Sequence, residues 1–334
     1  MGLVARLLCA CIFLAAYSRP ASPQERLADG VVSLETVLVT GSRPAPALWR
    51  IEKPGSTILL MGTISPVPKG LTWSSENVIK EIERTNVIVG PPGVVVGTDI
   101  GVIRGALLLP AMRRMKQNPG GRKLTSFLDQ TTTAEWVRVK DVYLRGRKDV
   151  DQLRPVYAAQ ELFEAAVSRR GMTMENPVAP ILEALSGNMD IPYVNGSFVL
   201  NVKDPNATLK KVNATDYGDA QCLQKTMSTL AADLESAAQK ANAWALGDIE
   251  ALRQLYHNES RKACIQAFGQ TTVAREQGIT DLAAQVEGAW ISKVLRASEK
   301  NSVVFSSLPV DMLMRSDGVL RRLESEGYRV TWPE

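Results

Sequence analysis

Residues 47–73 read ALWRIEKPGSTILLMGTISPVPKGLTW. Two short apolar runs, 48–52 and 57–61, flank Lys53-Pro54-Gly55-Ser56. Proline at the second turn position and glycine at the third fit a type II turn, so the stretch predicts a β-hairpin. Its second strand runs into a loop of small residues, Gly62-Thr63-Ile64-Ser65. A loop leaving the end of a central strand is where α/β folds place their sites. Pro66-Val67-Pro68-Lys69-Gly70 then blocks regular structure, and Ser74 or Ser75 is the expected cap of the next helix.

Downstream, the apolar pattern predicts a third strand over 86–89, ending at Gly90-Pro91-Pro92-Gly93. A buried helix is expected over 100–115, with Pro110 as an interior kink. Further helices are expected over 134–143, 150–167 and 180–185, and short strands over 191–194 and 198–202. Leu223, Met227, Leu230, Leu234, Ala237 and Ala241 recur at steps of three and four, which predicts a long amphipathic helix stopping at Gly247. Asp248 caps a short helix reaching about His257. Thr280 is the expected cap of a helix with Leu282, Val286, Trp290 and Val294 on its inner side. A strand over 303–306, a helix over 318–326 stopped by Gly327, and a last strand over 328–332 close the chain. Strands at both ends with helices between predict an α/β fold: a mixed central sheet flanked by helices, with a helical arm over about 217–270.

Residues 1–21 read as a secretory signal peptide. Arg6 supplies a positive charge, 7–17 is an apolar run too short to span a bilayer, and the small residues of 18–22 suit cleavage after Ala21. An uncleaved anchor is one alternative, and a lipid on Cys11 another. Residues 22–45, polar and rich in Pro, Ser and Gly, read as a flexible leader. Its one apolar stretch, Val37-Leu38-Val39-Thr40-Gly41, has the pattern to add to an edge strand. The folded domain is then 46–334. Losing 1–21 removes two arginines and no acid, lowers the net charge from +4 to +2, and leaves Cys222 and Cys264 as the cysteines. In an exported chain this pair predicts one disulfide, with two buried free thiols as the alternative. The expected location is the periplasm or the medium, with no integral membrane span after signal removal.

The chain has one histidine, His257, at the end of a predicted helix. The helix dipole favours a surface histidine there; a base or ligand role is the alternative. A second histidine for a typical zinc site is lacking. A serine hydrolase would need His257 as base, with Asp233 or Asp248 behind it. No G-x-S-x-G elbow or P-loop is present, and the glycine-flanked Gly93-Val-Val-Val-Gly97 lacks a following Lys-Ser/Thr. Glu81/Glu83 and Glu324/Glu326 stand two apart on predicted helices, hence on different faces, and read as solvated charges. Cationic clusters interleaved with aromatics, the footprint of nucleic-acid binding, are missing too.

Pro46-Ala47-Leu48-Trp49 and Gly62-Thr63-Ile64-Ser65, with the hairpin between them, resemble the opening of the TraB/GumN family (the TraB/PrgY/TIKI group). Val303 to Ser307, Asp317-Gly318 and Gly327-Tyr328-Arg329-Val330 are similar to its closing strand, helix opening and last strand. Asp219-Ala-Gln-Cys222, Trp244-Ala-Leu-Gly247-Asp248 and Ala263-Cys264 resemble a subgroup's helical middle, so the likeness covers about 46–332. It implies a TIKI/erythromycin-esterase-like α/β fold. It also implies a divalent metal held by two histidines and a glutamate, and one branch of the family acts as metalloproteases. Ser65 stands where the family has its first histidine. The strand at 86–89 ends in Gly90 and not in glutamate. The second histidine falls within 310–312, where Asp311 is the polar residue. Without imidazoles and that carboxylate, the ligand set of a transition metal is missing. The expectation is therefore a degenerate site: a non-catalytic binding or scaffolding module with no metal and no cofactor. Its candidate pocket is Gly62, Thr63, Ser65 and Asp311, open to a small polar ligand, a peptide or another protein. The alternative is a hydrolase rebuilt around Ser65 as nucleophile or a carboxylate site at Asp311.

Overall fold

A computed structural model describes residues 45–98, 107–256, 264–265 and 272–333. In chain order the strands are β1 Leu48–Lys53, β2 Ser56–Thr63, β3 Val67–Pro68, β4 Val87–Val89, β5 Val94–Thr98, β6 Met172–Thr173, β7 Tyr193–Val194, β8 Phe198–Val202, β9 Val303–Pro309 and β10 Arg329–Thr331. The helices are α1 Glu76–Glu83, α2 Leu109–Arg114, α3 Gln130–Tyr143, α4 Pro155–Arg169, α5 Ala179–Asn188 and α6 Pro205–Ala214. They continue with α7 Ala220–Leu246, α8 Ile249–Leu255, α9 Thr272–Glu276, α10 Leu282–Ser298, α11 Val310–Met314 and α12 Val319–Ser325.

The main sheet has six strands in the order β10-β1-β2-β9-β4-β7. β1 and β2 form the expected hairpin, paired from Leu48↔Met61 to Lys53↔Ser56, and Gly55 takes the positive φ of 85° that the turn requires. β2, β9, β4 and β7 are mutually parallel, and β10 lies antiparallel to β1. The mixed sheet closed by both ends of the sequence is thus the predicted one. Its strands alternate sides, as a pleated strand must. Ile58, Leu60, Val304 and Leu308 pack with Trp290, Ile291 and Val294 of α10. Leu59, Met61 and Phe305 face the other way, toward Ile82 of α1 and Trp244 of α7. A third core is mainly helical, with Trp136, Leu162, Leu223 and Leu230 among its members. α7, 27 residues and roughly 40 Å long, joins the two. Its first half builds the helical core and its end, Ala241 to Trp244, plugs the sheet core.

The end of α7 agrees with its sequence signal: Gly247 adopts a left-handed φ of 73°, and the Asp248 side chain caps α8 by accepting from the Ala251 N–H. Other expectations need correction. The buried helix over 100–115 falls partly outside the described residues, and the described part, α2, has no buried residue. Pro110 sits in its first turn and not at an interior kink, where its missing N–H breaks no helical bond. Asp281, not Thr280, caps α10, accepting from the Ala284 N–H. Ser75 holds the N-cap position of α1 without a side-chain bond. The strand expected over 198–202 is β8, but its parallel pairing with β5, the antiparallel β3–β6 pair and helix α6 have no counterpart in the sequence reading.

Gly62 is buried at the end of β2, and a Cβ there would stand 2.7 Å from Val310 Cγ2 and 3.3 Å from Leu313 Cδ1. Gly62→Ala is expected to cost about 1–3 kcal/mol, the range for overpacking a filled core. A fall in the urea midpoint with an unchanged slope checks this; an unchanged midpoint contradicts it.

Candidate functional site

Because β2, β9 and β4 are parallel neighbours, their carboxyl ends open on one edge of the sheet. Gly62 pairs with Leu308, Thr63 with Pro309, and Val89 with Ser306. Ser65, Gly90 and Asp311 therefore leave the sheet at its carboxyl edge, where open α/β sheets bind ligands.

Tryptophans close two of these strand ends. Trp244 Nε1 donates to the Gly62 carbonyl at 2.7 Å, and Trp290 Nε1 donates to the Gly90 carbonyl at 3.0 Å. Ser306 Oγ donates to the Val89 carbonyl at 2.6 Å. Gly62 and Thr63 are buried and serve packing; Ser65 is exposed.

Ser65 and Asp311 open into different cavities. Ser65 lines a cleft of about 480 Å³ between the loop after β2 and helices α4 and α7. Its walls are apolar at Val156, Phe163 and Ala237 and polar at Gln160, Asp233 and Lys240. Asp311 lines a second cavity of about 380 Å³ with Met312, Met314, Glu287 and Arg315. There Arg315 Nη1 pairs with the buried Glu287 carboxylate at 3.1 Å. Tyr256 lines both cavities. His257 lies outside the described residues.

Ser65 Oγ donates to the Met174 carbonyl at 2.8 Å, so its proton is held by backbone. Lys240 shares the cleft and rests 5.4 Å above the Tyr256 ring. Burial pushes its ammonium below the ordinary lysine value, and Asp233 pulls it back up. Asp233 accepts from Thr229 Oγ1 at 2.8 Å. Lys240 and Asp233 were not chosen as a pair from the sequence; their spacing of seven on one amphipathic helix was the available signal.

The cysteines expected to pair meet here as well. Cys222 is fully buried in the first turn of α7, Cys264 lines the Ser65 cleft, and their sulfurs lie 2.00 Å apart, at disulfide distance.

Residues 47–332 match the profile of the TraB/PrgY/gumN family. The chain belongs to this family. No curated protein and no solved structure matches it. The α/β sheet with its flanking helices agrees with the fold that the resemblance implied. The metal implied for the TraB/PrgY/gumN family does not fit the donors in place. Ser65 offers a neutral hydroxyl already bonded to Met174. Gly90 has no side chain, and the Tyr193 hydroxyl stands where a Cβ would be, so a side chain there would have to displace that tyrosine. Among the described residues no three His, Cys, Asp or Glu side chains gather into a metal-binding set. No helix among them is long and apolar enough to cross a membrane.

Proposed function

We propose that this protein is an exported, non-catalytic member of the TraB/PrgY/gumN family, a binding or scaffolding module with a degenerate metal site. Its cleft at Ser65 takes a small polar ligand or a peptide. The observation that carries this reading is the strand-end geometry: the Ser65 proton is bonded to the Met174 carbonyl, and the Tyr193 hydroxyl fills the place of a side chain at Gly90. Of the positions that the resemblance assigns to metal ligands, Ser65 and Asp311 line two different cavities and Gly90 has no side chain, while a lysine, an aspartate and a glutamine line the open cleft at Ser65. Export is supported by the signal-like 1–21 and by the cysteine pair at disulfide distance.

One observation favours a second reading. Lys240, with its ammonium made more acidic by burial, lines the same cleft as Ser65, the setting of a serine–lysine hydrolase. Elemental analysis of the purified protein, together with hydrolysis of a fluorogenic peptide mixture by wild type, Ser65→Ala and Lys240→Met, separates the two. The binding-module reading expects metal well below one equivalent and no turnover above buffer in any of the three. Stoichiometric metal would overturn it. So would turnover lost in both variants, with a rate rising with pH as Lys240 deprotonates.

A further inference from the structure

β5 and β8 form a two-stranded parallel ribbon outside the main sheet, with Val95 paired to Val199. Parallel strands are ordinarily covered on both faces. Here Val95 is 42% and Val199 47% exposed, side by side on one face, and Val96 at the strand edge is 59% exposed. Neither 91–98 nor 191–202 contains a charged residue. The next described segment after β5 begins with Leu107, 76% exposed, and enters α2, whose Leu109 and Met112 are also exposed.

The charge beside this apolar surface is mainly positive, although exposed Asp204 stands where β8 passes into α6. Residues 107–128 contain Arg113, Arg114, Lys116, Arg122 and Lys123 and no acid. All five are exposed, and among the described residues Arg113 and Arg114 make no ion pair; Arg122 lies 3.8 Å from Asp216. The two parts are tied together. β5 and β8 run parallel and end at the same side, and β8 passes within two residues into α6. Asn213 near the end of α6 donates to the Ala111 carbonyl of α2 at 3.1 Å. The ten residues of α6 span about 15 Å, which sets the scale of the separation between the end of the valine ribbon and α2.

We propose that this surface docks the protein peripherally on an anionic phospholipid bilayer. The valine and leucine side chains enter the headgroup boundary, and the α2 cations pair with lipid phosphates. Exposed apolar area next to excess Lys and Arg is the composition that such surfaces select. A second copy of the chain is the poorer occupant. A two-fold contact would bring the same acid-free cationic segment against itself. This proposal does not depend on what the Ser65 cleft binds.

The test is sedimentation of the full-length chain with vesicles of phosphatidylcholine alone or mixed with phosphatidylglycerol. Binding is expected to the mixed vesicles and to weaken with added salt. Arg113→Glu combined with Arg114→Glu is expected to lower that binding about tenfold or more. Val95→Thr combined with Val199→Thr keeps β-branched side chains in the ribbon and lowers it several-fold. Residues 1–21 are common to all variants, so the differences report this surface alone, and unchanged circular dichroism confirms the fold. Binding equal in all variants, or no preference for phosphatidylglycerol, overturns the proposal. A dimer dissolved by the valine substitutions without vesicle binding overturns it in favour of self-association.

Discussion

Arg154→Met is expected to destabilise the protein by about 4 kcal/mol, the largest effect of any single surface-distant polar substitution argued for this fold. Arg154 is 1% exposed at the start of α4. Its Nε donates to the Met115 carbonyl at 3.0 Å, Nη1 to Thr215 at 2.7 Å and Nη2 to Val212 at 2.7 Å. The guanidinium also stacks 4.1 Å from the Tyr217 ring centre. One planar fork thus joins the segment after α2, the end of α6 and the start of α4. Asp219 completes the node by accepting from the Val156 N–H at 2.8 Å. Burial pushes the Asp219 carboxyl above its usual range, opposed by that N–H and by the nearby guanidinium. Methionine would fill the volume but leave three carbonyls without a donor, each worth about 1–3 kcal/mol when buried, and would leave Asp219 without its cation. Arg154→Lys retains the charge but lacks the fork, and should recover about half the loss. Urea unfolding followed by circular dichroism measures both. A loss under about 1 kcal/mol for methionine would show that the three segments hold together without the guanidinium.

This node was invisible in the sequence for a physical reason. Arginines are mostly surface residues, and Leu153-Arg154-Pro155 carries no local sign of burial. What makes it buried is the return of residues 212–219, some sixty positions later. The same holds for β5 and its pairing, although the strand over 198–202 was itself expected. Gly93-Val94-Val95-Val96-Gly97 reads as a glycine-flanked loop until Phe198–Val202, a hundred residues on, supplies its ladder. By contrast, the β1–β2 hairpin, the arrest of α7 at Gly247 and the capping of α8 by Asp248 were legible because each is decided within a few residues. The candidate site lay between these cases. The shared sheet edge of Ser65 and Asp311 followed from the strands that precede them. Their separation into two cavities did not follow, because α11 starts directly after Pro309 and because Tyr256 stands at both cavities. Nor does any local pattern announce that Tyr193 fills the space beside Gly90.

The second large effect concerns Cys222 and Cys264. Their replacement together by serine is expected to cost about 4 kcal/mol in unfolding free energy, since a cross-link 42 positions apart in sequence removes that much loop entropy from the unfolded chain. Two further contributions act in the folded state. Cys222 is fully buried against Leu223 and Leu230 in the helical core, so a serine hydroxyl there must find a partner or lose its hydration. Cys264 lines the cleft opposite the Ser65 loop, so releasing it frees one wall of the proposed binding site. The double variant should therefore unfold earlier and also bind its cleft ligand more weakly. Reduction of the wild type without mutation should reproduce the first effect, measured as the fall in urea midpoint with and without dithiothreitol. Equal midpoints in both conditions would mean that the sulfurs stand close without being bonded, and two thiols reacting in the native protein before any reductant would say the same. A midpoint that falls on reduction while the double serine variant keeps wild-type stability would place the loss in the free thiols and not in the closed loop. A fall shared by both treatments assigns it to the cross-link between α7 and the segment that lines the Ser65 cleft.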